Sequence, residues 1–240
     1  MINIFIVFGT RPEFVKLIEV IEVLNKNPKI KISVISSNQQ RSLLQKYIKA
    51  DVVNYKLGLQ SFNDDSNFIS KFLIKFDSLC KNKIIDYLFV QGDTNTAYAT
   101  SLYGFLNKIP IIHLEAGLRT YDFYNPYPEE FIRQSISKIA KIHLSQNKTS
   151  LKNLKMEGIN KNIHIVGNPG IDHLLKNIKK IDLNKNKLIK NRILITMHRR
   201  ESLDKNLELF VKNLKKFLHN NSKFSVVWPL HSNPNILKKI

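Results

Sequence analysis

The sequence predicts an α/β protein built on a doubly wound, mostly parallel sheet, and three observations lead there. Short apolar runs alternate with stretches of helical period along most of the 240 residues. The runs end in Gly, Ser or polar residues, as buried strands do. Strands separated by helices need right-handed crossovers, which place helices on both faces of a parallel sheet.

In chain order, NIFIVFG (3–9), KISVIS (31–36), DYLFVQG (86–92), PIIHLE (110–115) and IHIVGN (163–168) read as strands. Between them, Pro12 to Asn25, Asp65 to Lys81, Asn95 to Leu106 and Pro128 to Ala140 carry helical period. Pro12 and Pro128 suit the first position of their helices. Residues 1–178 are expected to form the first domain. The Lys- and Asn-rich stretch 179–191 reads as a linker. A second strand, helix, strand pattern then starts, with RILITMH (192–198), a helix near 204–219 and KFSVVWPLH (223–231). Two strands and one helix cannot enclose a parallel-sheet core, so this second domain, 192–240, is expected to be incomplete.

Thirty-eight Lys and Arg against nineteen Asp and Glu give a formal charge of +19. The basic residues are dispersed and lack base-stacking aromatics between them, so no nucleic-acid partner is expected. A positive field of this kind suits a small polyanionic substrate. No run approaches the ~20 apolar residues that span a bilayer, so no membrane partner is expected either. A single cysteine, Cys80, permits no internal disulfide and no zinc site; it reads as an apolar filler within a helix, and a cytoplasmic setting fits. The segment after the first strand has no G-x-G-x-x-G, so neither a tightly held dinucleotide nor another cofactor or metal is expected.

Ligands of open parallel sheets bind beyond the carboxyl ends of the strands, so the residues there are the ones to inspect. In GTRPEFVKL (9–17), a tight turn at Gly9 and a helix start offer N–H groups to an anion beside Arg11, with Lys16 one turn on. QGDTNT (91–96) puts Asp93 at a helix entrance, where it could cap the helix or act as a base. HLEAGLRT (113–120) puts Glu115 at the next strand end and leaves the direction of His113 open. NPYPEE (125–130) places Glu129 in the first turn of a helix, where the dipole favours an acid, with Arg133 one turn later. The segment 113–130 holds four of the nineteen acids. Asp93, Glu115 and Glu129 all fall at one edge of the predicted sheet. Crowded carboxylates push each other's pKa values apart, which equips one as an acid and another as a base. In the second domain, His198, Arg199 and Arg200 follow one strand and His231 follows the next, offering cationic donors for a phosphate.

GTRPEFVKL, QGDTNT, HLEAGLRT with NPYPEE, GNPGIDHLL (167–175), HRRES (198–202) and PLHSNPN (229–235) occur in this order and resemble the non-hydrolysing UDP-N-acetylglucosamine 2-epimerases. The resemblance runs essentially from end to end. It implies two Rossmann-like domains arranged as in the B-type glycosyltransferases, and interconversion of UDP-GlcNAc and UDP-ManNAc for cell-surface polysaccharide. It also implies Asp93, Glu115 and Glu129 as the acid/base set and His198 beside the departing diphosphate. Arg11, Lys16 and Arg133 then match positions associated with the substrate or its phosphates, Arg199 and His231 stay substrate-binding candidates by their place after the strands, and the expected partners are a UDP-sugar and a second copy in a homodimer. The family's C-terminal segment for uridine and ribose is not in this sequence, so a separate chain supplying it is a further candidate partner. Relatives that hydrolyse the substrate, releasing ManNAc and UDP, usually read Ala-Asp after Gly-Thr-Arg, whereas Pro12 and Glu13 stand here. A non-catalytic binding module is the alternative outside enzymes.

Overall fold

The computed structural model describes residues 1–39, 52–59, 64–179, 191–196 and 207–229. The chain divides into two compact units, Met1–Lys180 and Ile181–Ile240.

In the first unit the described residues form one seven-stranded parallel sheet. Its strands are β1 (Ile2–Phe8), β2 (Ile30–Ser36), β3 (Tyr55–Lys56), β4 (Tyr87–Gln91), β5 (Ile111–Ala116), β6 (Ile142–Ser145) and β7 (Ile163–Ile165). Their order is β3-β2-β1-β4-β5-β6-β7. The helices are α1 (Arg11–Asn25), α2 (Asp65–Cys80), α3 (Asn95–Leu106), α4 (Glu129–Ile139), α5 (Lys148–Met156) and α6 (Pro169–Ile178).

The alternation of β1 shows why both faces must be covered. Ile4, Ile6 and Phe8 point one way and pack on Phe14, Leu17 and Ile21 of α1; Phe5 and Val7 point the other way, onto Phe68, Phe72 and Phe76 of α2. Those three phenylalanines and Cys80 recur every four residues, which stacks them along one face of the helix. Cys80 fills the core as expected, and burial pushes its thiol up to about 11. A third cluster, Val90, Ala97, Ile111, Ile132 and Ile136, seats α3 and α4 against β4 and β5.

Local chemistry fixes where the helices start. Thr94 caps α3 by accepting from the Ala97 N–H at 3.1 Å, and Asn147 and Asn168 cap α5 and α6 in the same manner. The cap of α3 is thus Thr94 and not its neighbour Asp93, which leaves that carboxylate for other contacts. Pro128 is the N-cap of α4 and Glu129 its first helical residue, so the helix starts one residue later than expected.

The second unit, taken by itself, shows β8 (Arg192–Leu194) paired in parallel with β9 (Ser225–Val227), with α7 (Leu207–Asn220) between them in sequence. Leu207 and Val211 are its buried helix residues, and Phe210 meets Trp228 edge to face at 5.6 Å.

Candidate active site

Sheet order reverses between β1 and β4, where two crossovers leave in opposite directions and a crevice opens beyond the strand ends. Gly9 ends β1 there. A Cβ on it would lie 2.2 Å from Thr96 Oγ1 and 2.6 Å from Ser37 Oγ, so only glycine allows the loops after β1, β2 and β4 to close on each other. Beyond β4 the chain turns through Gly92 at φ +69° and presents Asp93.

Asp93 Oδ2 meets Arg133 Nη2 of α4 at 2.5 Å. Burial pushes the Asp93 carboxyl above its ordinary value; Arg133 pulls it back, while the like charges of Glu115 and Glu129 raise it further. That repulsion is the physical sign of convergence, because screened groups at separate surface positions would not feel one another.

Glu115 is presented by a defect in the sheet. Leu114 pairs with Leu144 and Ala116 with Ser145, leaving Glu115 unpaired in a bulge, with φ +72°. A non-glycine residue there stores strain of about 1–3 kcal/mol, of the kind that gathers at functional sites. The bulge turns its carboxylate toward Lys16 Nζ at 2.5 Å and toward the Gln91 side-chain amide. Glu129, from the start of α4, brings a buried Oε2 with no hydrogen-bond partner among the described residues, and Arg133 Nε is likewise unpartnered. Buried polar atoms of this kind are uncommon and mark places where a ligand atom is expected.

Lys16 and Arg133 are therefore ion-paired site residues and not solvated helix positions. Arg11 stands exposed in the first turn of α1. His198, Arg199, Arg200 and His231 lie outside the described residues. Among the described residues no group of three or more His, Cys, Asp or Glu is placed to hold a metal, and no helix is long and apolar enough to cross a membrane.

The remaining acids of the 113–130 segment hold the loop. Glu130 is fully buried and accepts from Thr120 N and Tyr121 N, each at 3.0 Å, and from Gln134 Nε2 at 2.8 Å, with Arg133 Nη1 at 3.4 Å. Burial pushes its carboxyl up, but these donors outweigh it and hold it below its usual range. Asp122 accepts from Tyr124 N at 3.0 Å and closes a surface turn. Arg119 braces the same region, bonding both oxygens of Glu157 at 2.5 and 2.9 Å and Ser137 Oγ at 3.0 Å.

Two buttressing residues escaped the sequence reading. His113, whose direction was open, points into the protein and bonds the Gly92 carbonyl at 2.8 Å. Burial lowers its imidazole to about 3, so it is neutral and donates through Nε2–H to the turn that carries Asp93. Glu13 closes a capping box with Thr10, a signal legible as Thr10-x-x-Glu13. Its Oε2 accepts from Gly9 N at 3.0 Å, Thr10 N at 2.7 Å and Thr10 Oγ1 at 2.8 Å.

The sequence profile of a family described as UDP-N-acetylglucosamine 2-epimerase matches residues 22–240. Relatives of that name from Campylobacter jejuni and Salmonella borreze are 35% and 33% identical, covering 99% and 98% of this chain and 67% of each relative. The crystal structure of the Neisseria meningitidis UDP-GlcNAc 2-epimerase bound to UDP-GlcNAc superposes with TM-score 0.89 at 32% identity, over 99% of this chain and 68% of that one. The Methanocaldococcus jannaschii enzyme in complex with UDP-GlcNAc and UDP gives 0.79 at 27%, over 99% and 68%. The chain thus spans about two thirds of the length of these relatives. A profile match over residues 22–240 and pairwise identity above 30% across nearly the whole chain establish that the chain belongs to the UDP-N-acetylglucosamine 2-epimerase family.

Proposed function

We propose that this protein interconverts UDP-N-acetylglucosamine and UDP-N-acetylmannosamine by inverting C2 of the sugar, as a non-hydrolysing epimerase. The observation that supports it most is the meeting of Asp93, Glu115 and Glu129 with two cations, Lys16 and Arg133, at the carboxyl edge of one sheet.

The chemistry requires such a set. A base takes the C2 proton, its electron pair forms the C1–C2 double bond, and the C1–oxygen bond breaks with UDP carrying away the pair. The 2-acetamidoglucal then receives a proton at C2 on the opposite face, and a UDP oxygen re-forms the bond to C1. Two faces require two proton-handling groups, so one carboxyl must hold a proton while another is ionised. Asp93 fits the group that holds a proton, because burial and two neighbouring carboxylates oppose its ionisation. Arg133 and Lys16 keep the remaining charges bound and oriented, and Arg11, in the first turn of α1, is assigned to the phosphates by its motif. His198, Arg199 and His231 are assigned to the diphosphate by their motifs alone. No hydride carrier enters the scheme, since no redox change occurs at C2. The UDP-sugar is the substrate and a homodimer the assembly.

Incubation of the intact protein with UDP-GlcNAc in deuterated water tests the reading. Deuterium at C2 of both epimers, read by NMR, is the expected result. Unlabelled UDP-GlcNAc after prolonged incubation overturns it, and free ManNAc in place of UDP-ManNAc moves the assignment to the hydrolysing relatives.

A further inference from the structure

Glu13 is nearly the most buried acid in the first unit, at 1% exposure, and the proposed proton transfers make no use of it. Its two oxygens divide their bonds between two strand ends. Oε2 collects the N–H groups of Gly9 and Thr10 and the Thr10 hydroxyl, all from the loop after β1. Oε1 accepts from Thr94 Oγ1 at 2.8 Å, which belongs to the loop after β4. This bond spans the point at which sheet order reverses, where no strand hydrogen bonds tie the two loops.

Thr94 is the residue after Asp93. It is held twice, donating its hydroxyl proton to Glu13 and accepting from Ala97 N at 3.1 Å. The same crevice is closed from the side by Ser37 Oγ on Thr96 Oγ1 at 2.9 Å, and Thr96 Oγ1 donates to Gln39 Oε1 at 2.9 Å. Those contacts involve hydroxyls and amides, which can exchange roles. Glu13 Oε2 has less freedom, because the Gly9 and Thr10 N–H groups that face it can only donate. The backbone of Asp93 thus rests on a carboxylate from α1, and the side chain rests on Arg133 from α4.

We infer that Glu13 is a positioning residue for the epimerisation, fixing the Asp93 turn against the β1 loop through Thr94. This rests on the proposed epimerase reading. Burial pushes the Glu13 carboxyl up to about 7 against the pull of its donors, which marks it as a costly group to keep in a purely structural cap. A cap needs only Oε2; the second oxygen reaches across to Thr94.

The intact protein and its Glu13→Ala, Glu13→Gln, Thr94→Val and Thr94→Ser variants are assayed on UDP-GlcNAc, with Tm recorded for each. Misplacement of a reacting group by about 1 Å costs on the order of a hundredfold, so kcat of Glu13→Ala should fall about 10–100-fold while KM changes less than about threefold. Glu13→Gln, which keeps an acceptor for the β1 loop and a polar end for Thr94, should recover most of that loss. Should Glu13→Ala fail to fold, Thr94→Val carries the test: it leaves the β1 loop intact and should lower kcat with KM little changed, its Tm falling only by the lost α3 cap, with Thr94→Ser restoring both. Crystal structures of wild type and Thr94→Val give a readout independent of turnover, and the 91–96 turn should shift away from Glu13. Folded Glu13→Ala with wild-type kcat, or an unmoved turn in Thr94→Val, overturns the inference. Loss of C2 exchange in wild type overturns the epimerase reading instead, and the position of the turn still decides whether Glu13 holds it.

Discussion

Two regions of the first unit use the same residue types to opposite ends. Along the α1–α6 seam, Glu19 meets His173 Nδ1 at 2.9 Å and Lys176 at 3.1 Å, and Glu22 bonds the same lysine. There, despite some burial, hydrogen bonds from His173 and Lys176 lower Glu19, and Glu22 and Glu19 raise Lys176. Each charge is matched, reaches water and makes its partner's charge easier to hold. At the β1/β4 edge, Asp93, Glu115 and Glu129 crowd together with two cations between them, Asp93 shifts the other way, and Glu129 keeps a buried oxygen unpartnered. An ion pair alone therefore says little about chemistry. Mismatch under burial is the informative feature.

The comparison breaks most directly at the mismatched edge. Asp93→Asn, Glu115→Gln and Glu129→Gln each remove a group proposed to move a proton, so kcat should fall roughly 10²–10⁴-fold with Tm little changed. Near-wild rates in all three would reduce the cluster to an ornament of the fold. One step down, Glu130 has the burial of the site acids but the full bonding of the seam. Glu130→Gln turns an amide donor against Thr120 N or Tyr121 N, and should cost about 1–3 kcal/mol of stability in a denaturant titration. Turnover of the folded fraction should suffer far less than in the three site variants.

Two pH experiments sharpen the contrast. Arg133 holds the Asp93 pKa down, so Arg133→Gln should move the basic limb of kcat/KM, set by the proton that Asp93 carries, to higher pH; a shift to lower pH would contradict the geometry. Glu13 has its pKa raised from 4.5 to about 7, so its contribution to stability is fully present below pH 4.5 and is lost as pH rises through about 7. Glu13→Gln should gain on wild type across that window by about 3 kcal/mol, the 1.36 kcal/mol per unit of such a shift. The smallest effect is expected at the seam. Lys176 and Glu22 are 44% and 48% exposed, and Lys176→Ala should change stability by less than about 1 kcal/mol and leave kcat unaltered.

Much of this was legible in the sequence because apolar period reports burial directly. β1, β2, β4, β5 and β7, and α1 through α4, fall where their periodicity puts them. β6 did not announce itself: Ile142–Ser145 is four residues long and alternates an apolar with a polar side chain, His143 being buried on the sheet face. β3 has two residues, too few for any period. α5 and α6 precede the linker in a segment that is itself rich in Lys and Asn, where charge masked an amphipathic pattern. At the candidate site, strand ends pointed to Asp93 and Glu115, and a helix start to Glu129. Nothing local could separate Glu129 from Glu130, adjacent acids in one helical turn, because what divides them is the loop 117–121 folding back onto only one. The reach of Glu13 to Thr94 joins residues 81 apart and has no signature in either segment.

The bulge at Glu115 has an implication for engineering. Glycine is the residue that its left-handed backbone would accept most readily, so a search for heat-resistant variants will be drawn to position 115. If Glu115 moves a proton as proposed, the hardiest survivors of such a screen should be inert, with selection on melting temperature alone trading turnover for a more robust scaffold.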